Sequence, residues 1–281
     1  MKPCLSNVTT LPNFFADDVN AYADAGCTAM EVWLTKLEDH LQKTSMEATK
    51  KLLAEREMSL VAASYQGGLL LSQGQQRREM YDQFQRRLGL CQEFGIGVLC
   101  ILGDFVEKVT HTDFERAHVS LKQAAQLAAT FNVKLALEFR GNAKLCASLD
   151  TAAALVAGCD EPNLGLAFDV FHYYTGPSKF EDLGHLHRGN LFHVQLCDLA
   201  GVPRELATDS DRILPGEGDF QLQPIIDHFQ SFGYDGPVAI ELMNPDLWKM
   251  KPLAVAEAAI TGLRRLLGQA EMGPGLTRAQ A

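Results

Sequence analysis

A chain of 281 residues with 47% hydrophobic content can bury a large core, and it is an ordinary length for one α/β barrel. Its 35 acidic and 25 basic residues leave a net charge of −10, which argues against nucleic acid or an anionic membrane as the main partner. Seven cysteines with no C-x-x-C pair, and an opening MKPCLSNVTT with no apolar signal core, point to a cytoplasmic protein without disulfides, thiolate metal sites or a membrane segment.

Strand-like runs alternate with helix-like ones along the whole chain. Strands are expected over residues 4–9, 28–34, 60–65, 98–103, 133–139, 164–169, 191–197 and 237–243. Helices are expected over 14–25, 46–57, 75–94, 113–131, 149–158, 180–186, 222–232 and 253–268. Asp113 and Ser148 stand where N-caps belong, and Gly26, Gly95 and Gly158 where helices should stop. Eight βα units predict a closed (β/α)8 TIM barrel over residues 1–270 as a single domain, with 271–281 as a disordered tail. An open doubly wound sheet is the alternative, but no G-x-G-x-x-G follows the first strand.

The later strands share one pattern. In NLGLAFD the residues Leu164, Leu166 and Phe168 face one way and Gly165, Ala167 and Asp169 the other. VKLALEF sets Val133, Leu135, Leu137 and Phe139 against Ala136 and Glu138. LFHVQLCD sets Phe192, Val194 and Leu196 against His193 and Gln195, and PVAIEL sets Val238, Ile240 and Leu242 against Ala239 and Glu241. A single strand-end acid is commonly a loop cap or surface ion pair. Four oxygen-bearing side chains in phase on consecutive strands instead converge at the C-terminal mouth, where barrels carry their active sites.

Three crowded carboxylates need a counter-charge. Glu138, Asp169 and Glu241 with the Gln195 amide form an all-oxygen set suited to a hard divalent ion, Mn2+ first, with Mg2+ or Co2+ as alternatives. Zn2+ would ordinarily draw more imidazole or thiolate. Glu138 and Glu241 can also move protons, and His172, three residues past Asp169, is placed to donate to a substrate oxygen. Glu31 and Trp33 on the second strand are expected to wall the pocket and touch substrate. His193 sits a step deeper than Gln195 and reads either as a structural residue or as a further substrate contact. Trp33, Tyr65 and Trp248 can line the pocket or cover its rim, and His185 and His187 fall on the surface. The polar segment 199–220 is too long for a plain connection, and Arg212 ahead of PGEG is expected to reach a carboxylate, phosphate or hydroxyl of the substrate.

Taken together, LEF, FDVFH, HVQLCD, R-x-x-PGEGD and VAIEL resemble the xylose-isomerase-like TIM-barrel superfamily. That group holds sugar and sugar-phosphate isomerases and epimerases, inosose dehydratases and isomerases, 3-dehydroshikimate dehydratases and endonuclease IV. The resemblance spans nearly the whole chain and implies metal ligands at Glu138, Asp169, Gln195 and Glu241. It also implies substrate contacts at His172 and Arg212, with proton transfer by Glu138 and Glu241. One departure stands out: most sugar epimerases of the group carry histidine where Gln195 stands, whereas glutamine there is similar to the 3-dehydroshikimate dehydratase branch.

The expected activity is a divalent-metal-dependent isomerase or epimerase acting on a keto-sugar, sugar phosphate or polyol-derived ketone through a metal-bound enediolate. A metal-dependent dehydratase is the alternative, and a barrel that binds sugar or metal without turnover is the second. The partner is a small carbohydrate-like molecule, and homo-oligomerisation is left open.

Overall fold

The computed structural model describes residues 1–104 and 108–269; the tail expected at 271–281 lies outside them. Eight parallel strands close into a barrel in sequence order. They are β1 (Lys2–Ser6), β2 (Ala29–Trp33), β3 (Ser59–Gln66), β4 (Val98–Leu102), β5 (Lys134–Glu138), β6 (Leu164–Asp169), β7 (Leu191–Leu196) and β8 (Pro237–Ile240). The helices are α1 (Phe15–Asp24), α2 (Leu34–Leu41), α3 (Met46–Glu55), α4 (Gly74–Glu93), α5 (His111–Ala129), α6 (Leu149–Cys159), α7 (Val170–Thr175), α8 (Leu222–Ser231) and α9 (Pro252–Leu266). The expected (β/α)8 architecture is therefore the observed one.

The alternating strands work as their pattern implies. Leu135, Leu137, Leu166, Phe168, Val194, Leu196, Val238 and Ile240 are buried in the main core beneath the helices. The opposite set is small: Cys100, Ala136 and Ala167 form a separate cluster in the lumen, leaving room there for buried polar groups. Phe192 departs from the expected alternation and packs into this second cluster. The cause is a register shift, since Leu191 pairs with Leu166 but His193 with Ala167, so one extra residue is inserted in β7. Gly165 makes the space, because a Cβ there would come within 2.6 Å of the Phe192 ring.

Several boundaries differ from expectation for local reasons. The first strand ends at Ser6, and residues 7–13 turn over the barrel mouth. Helix α2 begins directly after Trp33, and α7 directly after Asp169, whose side chain accepts from the Phe171 N–H and caps it. The cap of α5 is Thr110, with Asp113 as its reciprocal partner three positions on rather than the cap itself. Ser148 caps α6 as expected, but Gly158 lies inside that helix, which stops at Asp160 in a left-handed conformation with φ 52°. Residues Phe180–His185 form a 3-10 turn instead of an α-helix. All seven cysteines are free and buried.

Candidate active site at the barrel mouth

Barrel closure delivers the four expected side chains to one end. Glu138 and Asp169 are the last residues of β5 and β6. Asp169 pairs in register with Gln195, and the Glu241 N–H continues the β7–β8 ladder by donating to Leu196 O at 3.1 Å. Asp169 and Gln195 are sealed from solvent, while Glu138 and Glu241 keep a small exposed fraction.

The principal cation among these acids is Arg212. Its Nη2 donates to Asp169 Oδ2 at 2.8 Å and to Asp209 Oδ1 at 2.7 Å, and its Nη1 donates to Glu241 Oε2 at 3.1 Å. The guanidinium also lies over the Phe171 ring, 4.5 Å from its centroid. Arg212, expected to reach a substrate group, is only 1% exposed. It borders the cavity, but these donors already serve protein acids. Burial opposes its charge, and the surrounding carboxylates, Asp169 foremost, more than compensate, so it stays firmly cationic.

The loop carrying it is built around Asp198. That carboxylate accepts from the N–H groups of Leu199, Gly216 and Phe220, and Asp198 forms an isolated antiparallel bridge with Ile213. Asn244 Nδ2 then donates to Arg212 O at 3.0 Å, fixing the arginine backbone against the segment after β8. A polar loop with this internal bracing is a wall of the site, which its length in the sequence already suggested.

A cavity of about 270 Å³ opens between these acids and the rim. Glu138, Glu241, His172, Arg212, Arg140 and Asp209 give it a polar side, opposite apolar walls that include Val8, Trp33, Tyr65 and Met243. Trp33 and Tyr65 thus line the pocket, whereas Trp248 braces the rim by donating its ring N–H to Val8 O at 3.1 Å. Glu31 and His193, expected as substrate contacts, are both fully buried and lie outside the lining of this cavity. His193 Nε2 instead meets Glu31 Oε2 at 2.9 Å. Arg140 and Asp209, paired at 3.3 Å, were not singled out from sequence, because nothing local links positions 69 apart.

The electrostatics of the acids follow from crowding. Burial, then repulsion from Asp169, pushes the Glu138 carboxyl up to about 8. Burial also raises Glu241 well above the usual range against the pull of Arg212. Desolvation lowers His172 to about 4, so its imidazole is neutral at pH 7. Its Nε2 stands 3.6 Å from Glu138 and 3.8 Å from Asp169, beyond hydrogen-bond length for either.

The donor set fits a divalent cation. Glu138, Asp169 and His172 bring ligand atoms within 4.8 Å of one another, and the buried Gln195 Oε1 has no hydrogen-bond partner. Carboxylates forced upward by burial are also the groups a cation would return to their ionised form. Glu241 is tied to the cluster through Arg212, and Gln195 through its amide nitrogen, which donates to Glu241 Oε1 at 3.0 Å.

The family model of the xylose isomerase-like TIM barrel matches residues 19–266, and the chain belongs to that family. The inosose isomerase of Bacillus licheniformis is 24% identical over 255 residues, covering 89% of this chain and 92% of that protein. The 3-dehydroshikimate dehydratase of Pseudomonas aeruginosa is 26% identical over 188 residues, which is 66% of this chain but 29% of that longer protein. Among solved structures, the IOLI protein with a bound zinc atom superposes with a TM-score of 0.90 at 21% identity, covering 97% of this chain and 100% of that one. A D-psicose 3-epimerase in the presence of D-fructose gives 0.74 at 18% identity, covering 95% and 100%. At these identities the superpositions establish the fold. Among the described residues no helix is long and apolar enough to cross a membrane.

Proposed function

We propose that this protein is a divalent-metal-dependent isomerase or epimerase acting on a small ketose or cyclic keto-polyol, with inososes the first candidates. The observation that carries this reading is the placement of two carboxyl groups, Glu138 and Glu241, on one cavity with a guanidinium between the acids. At about 270 Å³ the space is at the small end for ligand sites and suits a single six-carbon ring or chain. Kinship to inosose isomerases over most of both chains supports the same substrate class.

Glu138 and Glu241 are assigned the proton transfers beside the substrate carbonyl, one removing and the other returning a proton. The neutral His172, on the cavity wall, steadies the developing oxyanion as a donor, and Arg212 beside it contributes its positive charge. Trp33, Tyr65, Val8 and Met243 exclude water from the intermediate. Glu138, Asp169, Gln195 and Glu241 would hold the cation, which supplies Lewis-acid polarisation of the substrate carbonyl. Mn2+ is the first choice for this oxygen-rich set, with Mg2+ and Co2+ next, and the zinc atom of the structural relative adds Zn2+ to the ions to test.

A second reading, elimination of water from a 3-dehydroshikimate-like ketone, draws on Gln195 and on the partial match to a dehydratase. Both reactions begin by removing a proton next to a carbonyl. Deuterium incorporation from solvent into inososes and ketohexoses by metal-loaded protein tests the first reading; failure with every ketose abandons it. Appearance of a conjugated ultraviolet chromophore from 3-dehydroshikimate would establish the second in its place.

A further inference from the structure

The barrel lumen beneath the cavity contains a polar chain of which the proposed chemistry leaves two members, Glu31 and His193, without a role. Small side chains at Cys100, Ala136 and Ala167 leave the space. Glu31 enters from β2 and His193 and Gln195 from β7, on strands that are not neighbours in the ring. His193 Nε2 meets Glu31 Oε2 at 2.9 Å, and Gln195 Nε2 donates to Glu31 Oε1 at 3.0 Å. The same amide nitrogen donates to Glu241 Oε1 at 3.0 Å. All three lumen residues are at most 1% exposed, and both oxygens of Glu31 are occupied.

An amide carries its donors on nitrogen alone, so two carboxylates facing one end of Gln195 force the nitrogen toward them. A flipped amide would set its oxygen against two acids. The orientation therefore leaves Oε1 as the unpaired acceptor, as found. Glutamine is suited to this place, since a neutral imidazole has one N–H and could not donate to both acids.

We infer that Glu31 is a positioning residue that locks the Gln195 amide and, through it, aims the Glu241 carboxyl into the cavity. This rests on the proposed role of Glu241. Its effect is on geometry at the reacting end and not on the pocket that binds the substrate, because Glu31 lies outside the lining. Residues standing behind functional ligands in this way typically matter by about 10–100-fold in metal affinity or activity.

The test compares wild type with Glu31→Gln and Glu31→Asp. A glutamine at position 31 can donate to the Gln195 oxygen and so permit the flip, while aspartate keeps the charge one methylene short. With saturating Mn2+, Glu31→Gln should lower kcat for deuterium exchange about 10–100-fold with KM within about threefold of wild type. Glu31→Asp should fall between the two, which covers the case in which Glu31→Gln fails to fold. Mn2+ affinity by calorimetry should drop over the same range in Glu31→Gln, and this readout stands even if no ketose exchanges in wild type. An absence of wild-type exchange overturns the functional reading; unchanged Mn2+ affinity and kcat in the variants, or KM rising in step with the fall in kcat, overturns the positioning role.

Discussion

Two buried ion clusters lie at the C-terminal end of the barrel, and they differ in balance. Under the loop at residues 7–13, Lys36 on α2 pairs with Asp18 on α1, and the ammonium and both carboxylate oxygens find partners. The ammonium donates also to Asn7 O and Thr10 O, and the Thr10 hydroxyl donates to the other Asp18 oxygen at 2.7 Å. At the mouth, by contrast, Arg212 is shared by Asp169, Asp209 and Glu241, Glu138 stands nearby, and the Gln195 oxygen goes unpaired. In the first cluster the charges of Lys36 and Asp18 are matched within the protein. The second holds acid in excess of base and faces an open volume, the arrangement that the proposed function assigns to a cation and a substrate.

The contrast can be broken from either side, beginning with the largest effect. Glu241→Gln should cut ketose exchange by about 10²–10⁴-fold while circular dichroism and melting temperature stay close to wild type. Lys36→Met should do the reverse, costing about 3–5 kcal/mol of stability in urea titrations by stranding a buried carboxylate, with kcat of the folded fraction nearly unchanged.

Acid sensitivity sharpens the comparison further. The folded pKa of His172, about 4, lies below its ordinary 6.5, so its contribution is fully present above 6.5 and is lost as pH falls toward 4. Asp18, raised to about 7 by burial, and Glu138, raised to about 8, act in the opposite sense and lose their contribution as pH rises. Unfolding titrations of His172→Asn should therefore show a shallower loss of stability between pH 6.5 and 4 than wild type, by up to about 1.4 kcal/mol per pH unit. The smallest effect belongs to Arg204, exposed and paired with its neighbour Glu205; Arg204→Ala should leave exchange kinetics within about twofold.

Much of the site was legible because period-two alternation assigns faces without knowledge of the fold. Glu138, Asp169, Gln195 and Glu241 could be placed on one surface from local spacing alone, and barrel closure did the rest. Depth was legible only in part. His193 was read a step deeper than Gln195, but Glu31 was read as a pocket wall and sits buried outside the lining, because strand tilt sets the layer and leaves no trace in hydrophobicity. Helix α7 was hidden for a related reason: HYY continues the strand's apolar run, and only the Asp169 cap marks the change. The pairing of Arg140 with Asp209, and the capture of Arg212 by three acids, depend on loops meeting across the mouth.

Exchange measured separately from each of two epimeric ketose substrates, by Glu138→Gln and by Glu241→Gln, reaches the central claim most directly. If these carboxyls address opposite faces of the substrate, each variant should block exchange from one epimer while retaining some from the other. Full exchange from both epimers in either variant would remove that residue from proton transfer and contradict the account.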